Sequence, residues 1–420
     1  MSGGGSLVSG GLTLNNASSK LLLNSITLDN ASTSADSLGL DVDADSTVTS
    51  LSVANITPVA IASGSSLSGA ITVTAGSIKL AETGTLASNV SMSAGTFLDA
   101  DESMTISGSL TQSGSFNTDQ GWTIDVAAGK TLTYTGAAIG IEGHKLILTS
   151  SSSNGGATFN NTNPLLLNNA NSYLRFDAEV TVGSVSVDVA GNSGRGLKIK
   201  QSSTISSLTV TANTELSIYS GKSLSGAITL ATGSIKLNKT GTLASSVSMS
   251  GGTLDADESL TLSGALTQSG DIAIDVASGK TLTYSGAALN LGAYTLTLSG
   301  EGRLSNTYVL GLNNANSKLL LSGSITVDRV STSLASLGLD VDGDSTVTSL
   351  SVGHTTPVSI ASGKILSGAI TVSAGSLKLN EAGTLASTIA MSGGTLDADE
   401  SLSVSGALSH SANIAIDVWV

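Results

Sequence analysis

Aspartates that alternate with other residues occur at two places, in Asp41-Val-Asp-Ala-Asp-Ser and in Asp340-Val-Asp-Gly-Asp-Ser. This spacing is that of the first half of a calcium loop, in which alternate carboxylates converge on a hard cation. The glutamate that completes such a loop is missing from both places. The candidate calcium ligands are therefore Asp41, Asp43, Asp45, Asp340, Asp342 and Asp344.

The same spacing has a simpler interpretation. Alternate carboxylates on a β-strand all face one side, and at a surface that side is water. The related place in the middle of the chain reads Asp188-Val-Ala-Gly-Asn-Ser, so the pattern is not kept there. A second acidic group, Asp99, Asp101 and Glu102, recurs in two further copies and has the same two interpretations. Beyond calcium, the chain suggests no cofactor.

The sequence offers few residues for catalysis. There are no cysteines, which excludes disulfides, thiolate metal sites and cysteine nucleophiles. The three histidines, His144, His354 and His410, fall at places that are not equivalent between the repeats. Acids are plentiful, but no copy carries its own set of converging acids and bases. We therefore expect no enzyme and assign no catalytic residue.

The charge balance limits the partners. The formal net charge is −14, from 17 basic and 31 acidic residues, which argues against nucleic acid because that partner requires a basic surface. No apolar run reaches transmembrane length, so we expect no membrane insertion. Aromatic residues make up only 3% of the chain, which predicts a narrow core filled by aliphatic side chains.

Repeated phrases in the sequence indicate the structural elements that position the aspartates. The phrase Leu-Ser-Gly-Ala-Ile-Thr begins at Leu67, Leu224 and Leu366, so its copies are 157 and 142 residues apart. The long repeats then cover residues 67–223 and 224–365, with partial copies at 1–66 and 366–420. Each long repeat contains a shorter period of about 20 residues, which is typical of one coil of a β-solenoid.

Within each coil the apolar residues alternate with polar ones, as in Thr295-Leu-Thr-Leu, and this alternation predicts short strands with one buried face. We predict an all-β fold, a right-handed parallel β-helix of about 20 coils with 19–27 residues each. Aliphatic residues such as Leu67, Leu86 and Ile106 should stack from coil to coil. Residues 1–420 should form one continuous solenoid. The Asn pairs that end at Asn16, Asn169 and Asn314 should each serve a turn.

The chain resembles the repetitive β-solenoid regions of bacterial surface proteins, namely autotransporter passengers and filamentous-haemagglutinin-like adhesins. The phrases that carry the resemblance are Gly279-Lys-Thr-Leu-Thr-Tyr-Ser-Gly-Ala-Ala, Ala293-Tyr-Thr-Leu-Thr-Leu-Ser-Gly and Ser250-Gly-Gly-Thr-Leu-Asp-Ala. The resemblance implies export, a right-handed β-helix and a location that is extracellular or on the bacterial cell surface. It implies no particular ligand.

Three functions remain open. The first is a structural rod, stalk or fibre subunit that stacks head to tail on further copies of itself or on neighbouring coils of a longer array. The second is an adhesin that binds a surface receptor or glycan through inserted loops, at Ser115–Trp122 and Ser150–Thr162. The third is an ice- or carbohydrate-binding face, although the stacked positions Thr72, Ser91 and Thr111 mix two residue types. Trp419 stands where sister copies have Ala or Ser and is a candidate assembly residue.

Overall fold

The computed structural model describes residues 4–8, 10–112, 121–151 and 156–418. In these residues every regular element is a β-strand and no helix forms. The chain divides into two compact units, residues Met1–Glu215 with Lys222–Gly226, and Leu216–Gly221 with Ala227–Val420. That residues 1–420 form one continuous solenoid stays a prediction, as do the boundaries of the long repeats.

The strands of the first unit are short, with two to eight residues each. In chain order they are β1 (Ser6–Leu7), β2 (Leu12–Leu14), β3 (Lys20–Leu23), β4 (Thr27–Thr33), β5 (Gly39–Val42), β6 (Ser46–Val53), β7 (Thr57–Ile61), β8 (Ser66–Val73), β9 (Ser77–Leu80), β10 (Thr85–Leu86), β11 (Asn89–Met92), β12 (Phe97–Ala100), β13 (Met104–Ile106), β14 (Leu110–Gln112), β15 (Gly121–Val126), β16 (Thr131–Tyr134), β17 (Ile139–Gly140), β18 (Lys145–Thr149), β19 (Ala157–Asn161), β20 (Leu165–Leu167), β21 (Tyr173–Phe176), β22 (Val180–Val187), β23 (Gly196–Ile199) and β24 (Ser203–Val210).

Two strands contain the boundary between the units, β25 (Thr214–Ile218) and β26 (Ser223–Leu230). The strands of the second unit are β27 (Ser234–Leu237), β28 (Thr242–Leu243), β29 (Ser246–Met249), β30 (Thr253–Ala256), β31 (Leu260–Leu262), β32 (Leu266–Gln268), β33 (Ile272–Val276), β34 (Thr281–Tyr284), β35 (Leu289–Asn290), β36 (Thr295–Gly300), β37 (Arg303–Asn306), β38 (Leu310–Leu312), β39 (Lys318–Leu321), β40 (Thr326–Thr332), β41 (Gly338–Val341), β42 (Ser345–Val352), β43 (Thr356–Ile360), β44 (Ile365–Val372), β45 (Ser376–Asn380), β46 (Thr384–Leu385), β47 (Thr388–Met391), β48 (Thr395–Ala398), β49 (Ser403–Val404), β50 (Leu408–His410) and β51 (Ala415–Val418).

The strands form two parallel sheets. Each coil contributes one strand to the first sheet, which we call the short face, and one long strand or two short strands to the second sheet, which we call the long face. The short-face strands are β3, β5, β7, β9, β12, β15, β18, β21 and β23 in the first unit, β25 at the boundary, and β27, β30, β33, β36, β39, β41, β43, β45, β48 and β51 in the second. Pairing between coils is parallel, as in Leu21 with Leu40 and Leu40 with Val59. These 20 short-face strands of the described residues confirm an all-β parallel solenoid of about 20 coils. Its right-handed sense stays a prediction.

Alternation along the strands places the aliphatic residues inside each unit. The predicted stack of Leu67, Leu86 and Ile106 is confirmed, since Leu86 pairs with both of the others. All three side chains are fully buried. Burying one such side chain contributes about 1.5–3 kcal/mol, and stacking makes the contribution continuous from coil to coil.

The predicted alignment fails at two equivalent steps, from β13 to β16 and from β31 to β34. One aliphatic anchor per coil in the sequence places Leu132 over Ile106 and Leu282 over Leu262. The structure instead pairs Ile106 with Tyr134 and Leu262 with Tyr284. The shift is two residues, so both alignments point the same face inward and alternation cannot tell them apart. The coil length, taken as the number of residues between partners on adjacent coils, also varies. It is 19 residues from Leu21 to Leu40 and 28 from Leu148 to Phe176, which exceeds the predicted maximum of 27 by one.

The turn asparagines behave as predicted. The side-chain oxygens of Asn16, Asn169 and Asn314 each accept the backbone N–H two residues further along, at 2.9, 3.0 and 3.0 Å. In each turn the backbone carbonyl of the same asparagine also accepts the N–H three residues on. Asparagine therefore closes the same turn in three separate coils.

The repeated Leu-Ser-Gly-Ala-Ile-Thr phrase contains a glycine that no other residue can replace without distortion. Gly69, Gly226 and Gly368 have φ angles of 113°, 112° and 123°. A Cβ atom added at any of them would lie within 1.9 Å of a carbonyl oxygen of the preceding coil. Directly after the pair Val347–Gly368 the register shifts by one residue, so the glycine lies beside a β-bulge whose extra residue belongs to β42.

Candidate functional site

The three aspartates of the first calcium candidate point to different partners. The carboxylate of Asp41, in β5, lies 2.6 Å from Nζ of Lys20 in the preceding coil. Oδ1 of Asp45 accepts the backbone N–H and the hydroxyl of Ser66 in the following coil, at 2.8 and 2.9 Å. Asp43 is exposed. The carboxylates of Asp41 and Asp45 therefore connect successive coils in opposite directions, and the three carboxylates form no metal-binding group.

The second candidate repeats this arrangement. Asp340 lies 2.5 Å from Nζ of Lys318, and Oδ1 of Asp344 accepts the N–H of Ile365 at 3.0 Å, while Asp342 is exposed. In the part of the chain that the structure describes, no group of three or more His, Cys, Asp or Glu side chains is placed to hold a metal ion. Calcium binding at the six aspartates stays a prediction that gains no support from this geometry.

Charged residues line the outer side of the short face in the first unit. Lys79, Asp99 and Asp125 are register partners on β9, β12 and β15. Nζ of Lys79 lies 2.9 Å from Oδ2 of Asp101 and 3.7 Å from Oδ2 of Asp99. The lysine therefore neutralises the nearer aspartates, whereas Asp125 stacks on Asp99 one coil further away.

The second unit carries the same arrangement on β27, β30 and β33, where Lys236, Asp255 and Asp275 are register partners. Nζ of Lys236 lies 2.7 Å from Oδ2 of Asp257. The hydroxyl of Ser299 donates to Oδ1 of Asp275 at 2.5 Å. The second acidic group of the sequence is thus used in ion pairs and hydrogen bonds between coils.

Stacking of the aspartates changes their acidity. Burial raises the pKa of Asp125, and the charges of Asp99 and Asp101 raise it further. Burial also raises the pKa of Asp99, with a further rise from Asp101 that Lys79 partly offsets. In the second unit burial raises the pKa of Asp255 in the same way. The ionised form of these carboxyl groups is therefore disfavoured in the folded protein.

Replacing Asp125 by asparagine is expected to stabilise the protein at pH 7. A carboxyl group with a raised folded-state pKa contributes stability that is complete below the ordinary aspartate pKa of about 3.9. That stability is lost as the pH rises through the folded-state pKa. Asparagine removes this loss, which for a partly exposed and screened group amounts to on the order of 0.5 kcal/mol. Thermal unfolding between pH 7 and pH 4 should show a gain that shrinks on acidification.

The matched control for this substitution is Asp43→Asn, which changes an exposed carboxylate in the same unit. It should alter the melting temperature less than Asp125→Asn does at pH 7. Equal gains from the two variants, or a gain at Asp125 that grows as the pH falls, would contradict the stacking argument.

Hydroxyl groups form ladders on the outside of the long face. Thr72, Ser91 and Thr111 are register partners, which confirms the mixed ladder predicted from the sequence. The hydroxyls of Thr47 and Ser68, on adjacent coils, lie 2.7 Å apart and hydrogen-bond to each other. These hydroxyls therefore connect coils as the carboxylates do. An ice- or carbohydrate-binding face stays an untested alternative.

The prediction that Ser115–Trp122 and Ser150–Thr162 are inserted loops is wrong for part of each segment, because the structure places strands there. Within Ser115–Trp122, the last two residues begin β15, and the Trp122 side chain is 1% exposed because it fills the core. Within Ser150–Thr162, residues Ala157–Asn161 form β19, and Phe159 is fully buried. Residues 115–120 and 152–155 lie outside the described residues, as does Trp419.

A shallow polar groove of about 200 Å³ lies beside β19 in the first unit. Glu179, Ser202 and Thr204 contribute polar groups to its lining. The hydroxyl of Ser203, which also lines it, donates to the carbonyl of Gln201 at 3.0 Å. The groove can accept small polar molecules, but it presents no converging set of acids and bases.

Two buried asparagines that hydrogen-bond to the backbone of the next coil were not predicted from the sequence. Asn161 and Asn306 are only 4% exposed, and both face inward at the end of a long-face strand. Alternation from Phe159 and Leu304 places them inside, which is the signal that could have revealed them. A buried asparagine must satisfy two donors and an acceptor.

Comparison of the chain with protein-family models, with curated proteins and with solved structures returned no match. Among the described residues, no helix is long and apolar enough to cross a membrane.

Proposed function

We propose that this chain is an extracellular structural β-solenoid protein, a rod, stalk or fibre subunit of a bacterial surface or appendage, whose copies stack head to tail. The observation that carries the proposal is the use of polar side chains between coils. Four of the six aspartates that first suggested calcium binding, Asp41, Asp45, Asp340 and Asp344, are engaged in contacts from one coil to the next.

The ion pairs support this role by their placement. Lys20–Asp41, Lys236–Asp257 and Lys318–Asp340 each join two neighbouring coils at 2.5–2.7 Å. An exposed pair contributes only about 0–1 kcal/mol, so no single pair holds the fold. Repeated along the stack, such pairs favour one alignment of each coil on the next, which suits a structural element.

A deletion of one long repeat tests the proposal. Removing Leu224–Ile365 joins Ser223 to Leu366 and restores the phrase Leu-Ser-Gly-Ala-Ile-Thr at the junction. For a structural rod we expect a folded, β-rich protein whose particles in electron micrographs are shorter by seven coil spacings, about 34 Å. Circular dichroism and the distribution of particle lengths are the measurements.

A deletion ten residues shorter, Leu224–Thr355, is the control. It breaks the coil phase at the junction and should lower the melting temperature and the strand content. Head-to-tail stacking predicts fibres of constant width from the undeleted 420-residue chain at high concentration. Compact particles that keep the same length in the in-phase deletion, and never associate, would refute the structural role.

A further inference from the structure

The coil that contains β23 inverts the charge of its sister coils. The phrase Gly-Leu-Asp-Val-Asp begins at Gly39 and at Gly338, whereas the middle copy, which begins at Gly196, reads Gly-Leu-Lys-Ile-Lys. The two lysines of the middle copy, Lys198 and Lys200, are half-buried on the outer side of the short face. The fold therefore carries two lysines at places where the repeat twice carries two aspartates.

The inversion stacks like charges on adjacent coils. Arg175 and Lys198 are register partners on β21 and β23. Like charges directly opposite each other destabilise a sheet. Elsewhere on the short face the partners have opposite charges, as Lys79 and Asp99 do on β9 and β12. Natural proteins break such a local rule chiefly at functional sites.

The nearby acidic group offsets this positive charge only in part. Asp177 forms ion pairs with Arg175 and, at 3.7 Å, with Nζ of Lys200, so two cations share one carboxylate. Nζ of Lys198 lies 4.5 Å from the centre of the Tyr173 ring, which is a neutral partner. The stack therefore keeps positive charge that a carboxylate from outside the chain can neutralise.

The polar groove beside β19 lies on the same coils as the lysines. Its lining includes Ser202, two residues after Lys200, and Ser223, directly after Lys222. Two residues of chain span at most about 7 Å. A lysine side chain covers much of that distance, so an anionic group on a ligand in the groove lies within reach of both lysines.

The groove presents hydroxyl groups and a carboxylate. The hydroxyls of Thr204 and Ser225 bond to each other at 2.7 Å, and the hydroxyl oxygen of Ser202 accepts the N–H of Ser223 at 3.1 Å. A hydroxyl both donates and accepts, so each can make a further bond to a ligand. Glu179 is exposed and adds an acceptor. This mixture of donors and acceptors suits the hydroxyl groups of a sugar.

The size of the groove fits a small ligand. Its volume of about 200 Å³ lies below the roughly 300–1,000 Å³ of pockets that take drug-sized molecules. One sugar ring at a time can occupy it, and a longer saccharide can continue outside it because the groove is shallow.

An equivalent groove in the same unit carries the opposite charge. It has a volume of about 330 Å³, and Asp45 belongs to its lining. Asp45 stands there in the place of Ser202, and the exposed Asp43 stands in the place of Lys200. The same coil geometry thus occurs once with an acidic edge and once with a basic edge, so the charge of the edge distinguishes the two grooves.

We propose that the polar groove beside β19, with Lys198, Lys200 and Lys222 at its edge, binds a saccharide that contains a uronic acid. The sugar carboxylate pairs with the lysines, as aspartates pair with lysines between other coils, and the sugar hydroxyls bond to the groove. The net charge of −14 repels an anionic ligand elsewhere and so confines it to this edge. The inference goes beyond the structural role, and its failure would leave that role intact.

The test titrates the full chain with trigalacturonate and with its methyl ester, which has the same sugar rings and no charge. Isothermal titration calorimetry should show saturable binding of trigalacturonate and binding of the ester that is about tenfold weaker or more. Citrate, a carboxylate anion without a sugar ring, should compete about tenfold less well. Absent binding, equal binding of the ester, or equal competition by citrate would overturn the proposal.

The charge is tested in the protein by Lys198→Asp together with Lys200→Asp. These are the residues that the sister coils carry, so the fold accommodates them, and binding should weaken about tenfold or more. Lys239→Asp together with Lys364→Asp, in the second unit, is the matched control, because it changes the net charge by the same amount. Equal losses from the two double variants would overturn the proposal.

The groove itself is tested by Ser223→Ala, which removes a hydroxyl and keeps every lysine. Binding of trigalacturonate should weaken about threefold or more. If circular dichroism shows that the double lysine variant has lost strand content, Lys222→Ala tests the charge with the same expected loss. Binding that ignores these single changes would overturn the proposal. So would self-association in sedimentation that the double lysine variant abolishes and trigalacturonate does not reverse, because the acidic surface of a second copy would then be the occupant.

Discussion

Replacing Gly368 by alanine is expected to destabilise the second unit by about 3 kcal/mol or more. The added Cβ would lie 1.8 Å from the carbonyl oxygen of Val347 and 2.7 Å from its carbonyl carbon. Both atoms belong to the backbone of β42, which pairs with β44 across the bulge, so they cannot retreat without breaking strand pairing. The φ angle of 123° adds backbone strain for any residue with a Cβ. Chemical denaturation and hydrogen exchange over Ile365–Val372 would measure the loss.

Gly363→Ala is the matched control, because it changes a glycine in the turn just before the same strand. Gly363 has a φ of 75° but faces open space, so alanine there carries the backbone strain without the collision. We expect it to cost about 1 kcal/mol. If the two variants lost equal stability, the close approach to Val347 would not be the reason why this glycine recurs.

The register of the coils shows where sequence reasoning succeeds and where it stops. Leu67, Leu86 and Ile106 could be aligned because their coils have nearly equal length and a clear alternation. The next step failed because Tyr134, and not Leu132, lies over Ile106. A shift of two residues keeps every side chain on its own face, so the pattern of apolar and polar residues cannot reveal the shift.

The charged residues illustrate a second limit. Asp41 and its partner Lys20 are 21 residues apart, so their ion pair becomes visible only after the coils are aligned. Along the chain, Asp41, Asp43 and Asp45 form a pattern that suggests calcium. Across the coils, Asp41 meets a lysine and Asp45 meets a serine. The spacing of the aspartates along the chain is correct, but their role depends on side chains of the neighbouring coils, which the spacing does not include.

Substituting Asn306 by alanine is expected to destabilise the second unit by roughly 2 to 4 kcal/mol. The coil that contains Asn306 has two short strands, β37 and β38, where the next coil has one long strand, β40, so the main-chain ladder between the two coils is interrupted. Leu304 pairs with Val327 and Leu310 with Val330, which leaves three extra residues between the paired positions in the coil that contains Asn306. The carboxamide of Asn306 occupies this gap.

The carboxamide replaces the missing backbone bonds. Its Nδ2 donates to the carbonyls of Tyr308 and Arg329, both at 2.7 Å, and its Oδ1 accepts the N–H groups of Asp328 and Arg329 at 3.2 and 3.3 Å. Asn161 makes the equivalent contacts with its own neighbours in the first unit. Alanine would leave four partly buried backbone groups without a partner, and each such group costs about 1–3 kcal/mol when water cannot reach it.

Asn316→Ala removes an exposed asparagine from a neighbouring turn and should change stability by less than about 0.5 kcal/mol. Hydrogen exchange separates the proposed bridge from a general loss of packing. In the Asn306→Ala protein the amides of Asp328 and Arg329 should exchange much faster, whereas those of the short-face strand β39 should change little. Uniform acceleration across the coil would mean that the side chain only fills space. Selective exposure of the two amides would show that one carboxamide holds two coils in register where their strands divide.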